Sequence, residues 1–158
     1  NPGFSSPYFL SLYQDGMVEP IALNMNFGSQ EFKTKVANGL AVMAEKEGPY
    51  LVHCTEGKDR TGFVCMLLEA LCGASYEEIV SDYMITYDNY YGITEEKEKE
   101  RYDVIVENML VPMIQCLAGN EDADVRTADL TGCAERYLLD GGMSAEQIEL
   151  LRERLTGG

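Results

Sequence analysis

The chain is 158 residues long, 46% apolar and 25% charged, proportions of a globular protein rather than a disordered or fibrous one. Its 27 acidic residues outnumber 12 basic ones, giving a net charge of −15. That balance leaves no basic face for nucleic acid and disfavours an anionic membrane surface. The longest apolar run, residues 63–68, falls well short of the roughly 20 residues a membrane helix needs.

Residues 1–16, rich in Gly, Ser, Pro and Tyr, read as irregular. Residues 17–25 are short and apolar and predict a strand. Pro20 puts that strand at an edge or a bend, because it has no N–H to donate to a ladder. A turn follows at 26–28. Ser29 then caps a helix with Phe32, Val36, Leu40 and Met43 on one face, stopped by Gly48 and Pro49. Residues 50–53 predict a second strand, and Cys54 opens a loop holding Gly57 and Gly62.

From Thr61 the pattern turns helical, with Val64, Leu67, Leu68 and Leu71 inward, and it ends at Gly73. Ser75 and Glu78 form a capping box before a helix that buries Tyr76, Ile79, Val80, Tyr83, Met84 and Tyr87. The charge run 95–101 reads as the solvated start of another helix. It buries Ile105, Val106, Met109 and Leu110 before Pro112 disturbs it. A helix over 130–139 and a last one opened by Ser144 and Gln147 complete the chain.

These elements predict an α/β fold: a short central sheet flanked by helices, with a helical C-terminal half. Two strands are few for a sheet, so further strands are expected upstream of this chain or hidden within residues 1–16. One domain is expected over 1–158, either whole or as the C-terminal portion of a larger one.

The five cysteines, Cys54, Cys65, Cys72, Cys116 and Cys133, are odd in number and show no CxxC pair. Neither a disulfide framework nor a zinc site fits their spacing, and a single histidine leaves little for a metal. A reducing compartment is expected, hence the cytoplasm, with a removed leader or secretion left open. Cys65 and Cys72 are seven residues apart on one helical face, where core packing is expected of both.

Residues 52–62 read VHCTEGKDRTG, with a cysteine at a strand end and an arginine at a helix start. Inward-pointing N–H groups of such a loop, together with a helix N-terminus, make a nest for a phosphate dianion. Arg60 can hold two phosphate oxygens at once. The same dipoles favour a thiolate at Cys54, a nucleophile near neutral pH. Attack on phosphorus then gives a cysteinyl-phosphate, and the leaving oxygen needs a carboxylic acid nearby.

The string His53-Cys54-x-x-Gly57-x-x-Arg60-Thr61-Gly62 resembles the signature of the cysteine-dependent protein tyrosine phosphatase superfamily. The fuller HCTEGKDRTG is most similar to a bacterial branch related to the dual-specificity and phosphoinositide phosphatases. The resemblance extends more loosely through residues 74–91. It implies that Cys54 is the nucleophile and Arg60 the phosphate and transition-state clamp. Thr61 would hydrogen-bond the sulfur, and His53 would orient the loop from its base. The backbone N–H groups of Thr55, Glu56, Gly57, Lys58, Asp59 and Arg60 would line the cradle. No metal or other cofactor is implied.

The stretch that holds the general acid in many relatives corresponds here to residues 24–28, which lack a carboxylate. Asp59 inside the loop is the better candidate, as in some phosphoinositide-acting relatives. Asp15 or a residue upstream of this chain are the alternatives. Lys58 is either a pocket-rim charge or a solvated lysine, and Glu56 is expected to face solvent. Tyr83, Tyr87, Tyr90 and Tyr91 read as a core stripe with one wet edge, with a substrate groove as the other reading. The expected substrate is a phosphorylated protein or small phosphoester, with phosphotyrosine favoured. A phosphoinositide phosphatase and a non-catalytic phosphate-binding module are the alternatives. A redox enzyme is a weaker one, since it explains neither Arg60 nor Gly57.

Overall fold

The computed structural model describes residues 6–157. Helices α1 (Pro7–Gln14), α2 (Gln30–Glu45), α3 (Arg60–Leu71) and α4 (Tyr76–Tyr91) come first. Helix α5 (Lys99–Ile105) runs through a π-helical turn (Val106–Leu110) into α6 (Val111–Ala118). Helices α7 (Leu130–Gly141) and α8 (Ala145–Thr156) follow.

Among the described residues there is no strand, so the expected α/β fold with a central sheet does not form. Residues 18–25 and 50–53 are apolar and non-helical, but no backbone hydrogen bond joins either to a partner strand. A strand exists only as half of a ladder, and here the second half is missing. The irregular reading of residues 1–16 is corrected too. Ser6 accepts from the Phe9 N–H, Pro7 opens α1, and the helix runs to Gln14. The part of that reading on residues 1–5 lies outside the described residues.

Helices α2, α4 and α8 follow their start signals. The Ser29 side chain accepts from the Phe32 N–H at 3.2 Å and sets the start of α2. Both capping boxes, Ser75 with Glu78 and Ser144 with Gln147, are formed. The charge run 95–101 is a turn through residue 97, and α5 starts only at Lys99. Pro112 lies in the first turn of α6, where its missing N–H costs least, and the helix before it widens into the π turn.

The buried side chains form one core, with α7 packed on α2, α3, α6 and α8. An aromatic cluster ties it to the segment preceding α2. Phe27 stacks on Phe63 at 4.7 Å, and Phe32 meets both edge-on. The Tyr137 hydroxyl donates to the Phe27 carbonyl. At the far end of α3, the Thr131 hydroxyl donates to the Ala70 carbonyl (2.9 Å) and Arg152 to the Leu71 carbonyl (3.1 Å). Those bonds reach carbonyls of the last turn of α3 and fix the helix by its C-terminus. Its N-terminus is thereby held out to carry the loop of residues 54–59.

Candidate active site

The loop begins at Cys54 and closes on the first turn of α3. Gly57 sits at φ +76°, in the left-handed region, and so lets the chain curl back toward the cysteine. Its N–H donates to the Cys54 sulfur at 3.2 Å. Gly62, in the first turn of α3, lies under Tyr83 of α4. A Cβ there would stand 2.8 Å from the Tyr83 ring, so only glycine lets α4 come so close beneath the loop.

Burial pushes the Cys54 thiol up. Hydrogen bonds from the Thr61 hydroxyl and from the N–H groups of Thr61, Gly57 and Glu56 outweigh it and bring the thiol down from 9.0 to about 7. The Thr61 bond is the looser contact: its buried Oγ1 meets no partner at strict hydrogen-bond geometry, whereas the Gly57 bond does. The result is a half-buried sulfur that is substantially thiolate at neutral pH. The other four thiols are also free. Cys65 is driven the opposite way, to about 11, first by burial and then by Glu69 and Asp82. Cys72 is exposed, which corrects its expected place in the core; α3 ends one residue before it.

Arg60 opens α3, as expected from its place after the loop. Its guanidinium donates to the Thr55 hydroxyl at 3.1 Å and to the Leu23 carbonyl at 3.3 Å. It thus spans the start of the loop and the segment before α2. The Leu23 contact was not legible in the sequence, because a carbonyl is common to every residue. Its consequence is that residues 23–27 lie beside the loop, held there by Arg60 and by the Phe27–Phe63 stack. That stretch brings Asn24 and Asn26 but no carboxylate.

Asp59 occupies the N-cap position of α3 without capping it. Its Oδ1 is buried and has no hydrogen-bond partner. Such an oxygen is costly to bury unpaired, which makes it conspicuous next to Arg60 at the start of α3. Asp15 sits at the other end of α1's hydrogen-bonding, its N–H bonded to the Ser11 carbonyl, and no hydrogen bond or ion pair joins it to the loop.

His53 is exposed, with Nδ1 3.3 Å from the Cys54 carbonyl. Glu56 is exposed and pairs with Lys58 at 3.4 Å. Desolvation alone would lower Lys58. The carboxylates of Asp59 and Glu56 and the Tyr87 phenol outweigh it and raise the ammonium above its usual value. Of the four tyrosines, Tyr83 and Tyr87 are buried, while Tyr90 and Tyr91 are more than half exposed. The Tyr83 hydroxyl is buried without a partner. Among the described residues no group of three or more His, Cys, Asp or Glu side chains could hold a metal ion. No helix of the described chain is long and apolar enough to cross a membrane.

Comparison with known proteins finds relatives named as phosphatases. The triple specificity protein phosphatase of Mycobacterium tuberculosis is 30% identical over 122 residues, covering 69% of this chain and 44% of its own length. A Cupriavidus necator protein provisionally named a tyrosine-protein phosphatase is 29% identical over 109 residues, 68% of this chain and 40% of its own. A tyrosine-protein phosphatase of Nostoc commune is 47% identical over 45 residues, 28% of this chain and 15% of its own. The chain spans less than half the length of these relatives. No solved structure matches it significantly. The family model described as the tyrosine phosphatase family matches residues 9–157, nearly the whole chain, and the chain belongs to that family.

Proposed function

We propose that the chain is a phosphatase catalytic unit that hydrolyses phosphotyrosine through a cysteinyl-phosphate. The observation that carries this reading is the Cys54 sulfur, brought to about 7 by Thr61 in the first turn of α3 and by N–H groups of its own loop, and followed by Arg60 at a helix N-terminus. The backbone N–H groups from Thr55 to Arg60 take the phosphate oxygens, and Arg60 turns its guanidinium onto two of them. The Cys54 thiolate attacks phosphorus, forming the S–P bond as the bond to the tyrosyl oxygen breaks. Asp59 gives its proton to that oxygen. Water then attacks phosphorus, Asp59 takes a proton back, and the S–P bond breaks to release phosphate. Thr61 stabilises the departing thiolate, and His53 steadies the loop through the Cys54 carbonyl.

The test is turnover of an aryl phosphate by the purified chain. Activity should be sensitive to vanadate, resistant to chelators and reduced by at least about a thousandfold in Cys54→Ser, as expected when a covalent nucleophile is removed. Asp59→Asn should slow an alkyl phosphate more than an aryl one, because only the poorer leaving group depends on the proton. Unchanged turnover in Cys54→Ser would contradict the proposal. A second reading, a phosphate-binding module without catalysis, draws on the lack of a carboxylate in residues 24–28. It requires that the wild-type chain bind aryl phosphate without turning it over.

A further inference from the structure

A groove of about 480 Å³ starts at Lys58, inside the loop, and runs between α4 and α5. Pockets of about 300–1,000 Å³ hold small ligands and side chains. Beyond Lys58 its walls are largely apolar, with Tyr87, Tyr91 and Val104 among them. Tyr91 and Val104 are 54% and 58% exposed, so this apolar surface is open to solvent. Two charges lie farther along, Glu100 and Arg101. Arg101 is paired with Glu98 at 2.6 Å. Glu100 forms no ion pair among the described residues, and its charge stands alone on the rim.

We infer that this groove seats the polypeptide around a phosphotyrosine, taking an apolar side chain next to the phosphorylated residue and a basic one near Glu100. The inference rests on the phosphatase reading of Cys54 and Arg60 and names the substrate class of that site. Three observations point the same way. Lys58 belongs to both the loop and the groove, so the groove begins at the loop that would hold the phosphate. The two tyrosines and Val104 offer apolar contact to a hydrophobic side chain beside the phosphotyrosine. A headgroup with further phosphates would need cations past the cradle. It would meet Glu100 and a neutralised Arg101 instead.

The experiment measures kcat and KM of the whole chain on four substrates: p-nitrophenyl phosphate, two phosphotyrosyl peptides and a soluble short-chain phosphoinositide. One peptide carries Leu beside the phosphotyrosine and Lys farther on, the other Asp at both places. Wild type should prefer the Leu/Lys peptide. Val104→Asp should lower kcat/KM for it about tenfold through KM, the worth of one buried apolar side chain, with the nitrophenyl ester changed less than about twofold. Tyr91→Ser should act the same way, with Tyr91→Phe restoring the wild-type value. Glu100→Lys should shift preference toward the Asp peptide. Equal losses on peptide and nitrophenyl ester, no change on either, or a phosphoinositide preferred to both peptides would each overturn the inference. Wild type turning over none of the four would sink the phosphatase reading instead. The groove is then judged by calorimetric binding of the Leu/Lys peptide: weaker binding to Val104→Asp upholds it, and equal binding overturns it.

Discussion

At the scale of single residues, the decisive contrast lies between two cysteines eleven positions apart in sequence. Cys54 is buried only in part and is met by donors, so its thiol falls to about 7. Cys65, one helix turn and more into α3, meets apolar burial and two carboxylates and rises to about 11. Alkylation by iodoacetamide should therefore climb with pH through a midpoint near 7 at Cys54, while Cys65 stays unreactive below pH 9. Thr61→Val should move the Cys54 midpoint upward, because a donor to the thiolate is lost. A midpoint at the ordinary thiol value in the wild-type chain would remove the physical basis for the nucleophile. The candidate site is legible in the sequence, since ten adjacent residues carry the proposed nucleophile, the cation and the glycine that bends the loop. What stayed hidden was whatever depends on atoms all residues share or on distant packing: the Leu23 carbonyl under Arg60, and the Tyr83 ring over Gly62.

Between elements, the joint that holds the loop-bearing helix to its neighbour carries its own titration. Glu69 on α3 is half-buried beside Asp82 on α4. Burial first, then the hydrogen bond to Asp82 and that residue's charge, push the Glu69 carboxyl from 4.5 up to about 8. The folded chain thus holds a proton there that the unfolded chain releases. The stabilisation from that proton is complete below about pH 4.5 and is lost as pH rises through about 8. Glu69→Gln keeps the hydrogen bond without the charge. Its Tm should match wild type near pH 5 and exceed it by about 3 °C at pH 9, within the shift expected of a 1 kcal/mol change. A gap of the same size at both pH values would refute the titration. Helices α2, α4 and α8 were legible because Ser29, Ser75 and Ser144 announce their starts and the apolar spacing announces their faces. Helix α1 is hard to read from sequence because its Ser, Pro and Tyr content resembles a loop, although Ser6 with Pro7 behind it is a cap. The two strands failed for a different reason. An apolar run reports only that a segment can extend, whereas a sheet depends on a partner elsewhere in the chain.

Over the whole molecule, the charge of −15 sets the long-range field that an anionic phosphoester must cross. Lys58 and Arg60 act only within the pocket. Raising sodium chloride shortens the screening length from about 30 Å at 0.01 M to about 8 Å at 0.15 M. With a small aryl phosphate, kcat/KM should rise by about threefold over that range, as repulsion by distant carboxylates is screened. A fall would mean that the pocket cations govern approach. The charge was fully legible in the sequence, and the strand-free packing of the described residues was not. The proposed chemistry is gathered in one loop and does not depend on a sheet around it. The most direct examination of that chemistry is acid quenching of the chain during aryl phosphate turnover, followed by peptide mass spectrometry. The phosphoryl group should be found on the peptide containing Cys54 and be missing from Cys54→Ser. A phosphoryl group on any other residue, or steady turnover by Cys54→Ser, would contradict a cysteinyl-phosphate.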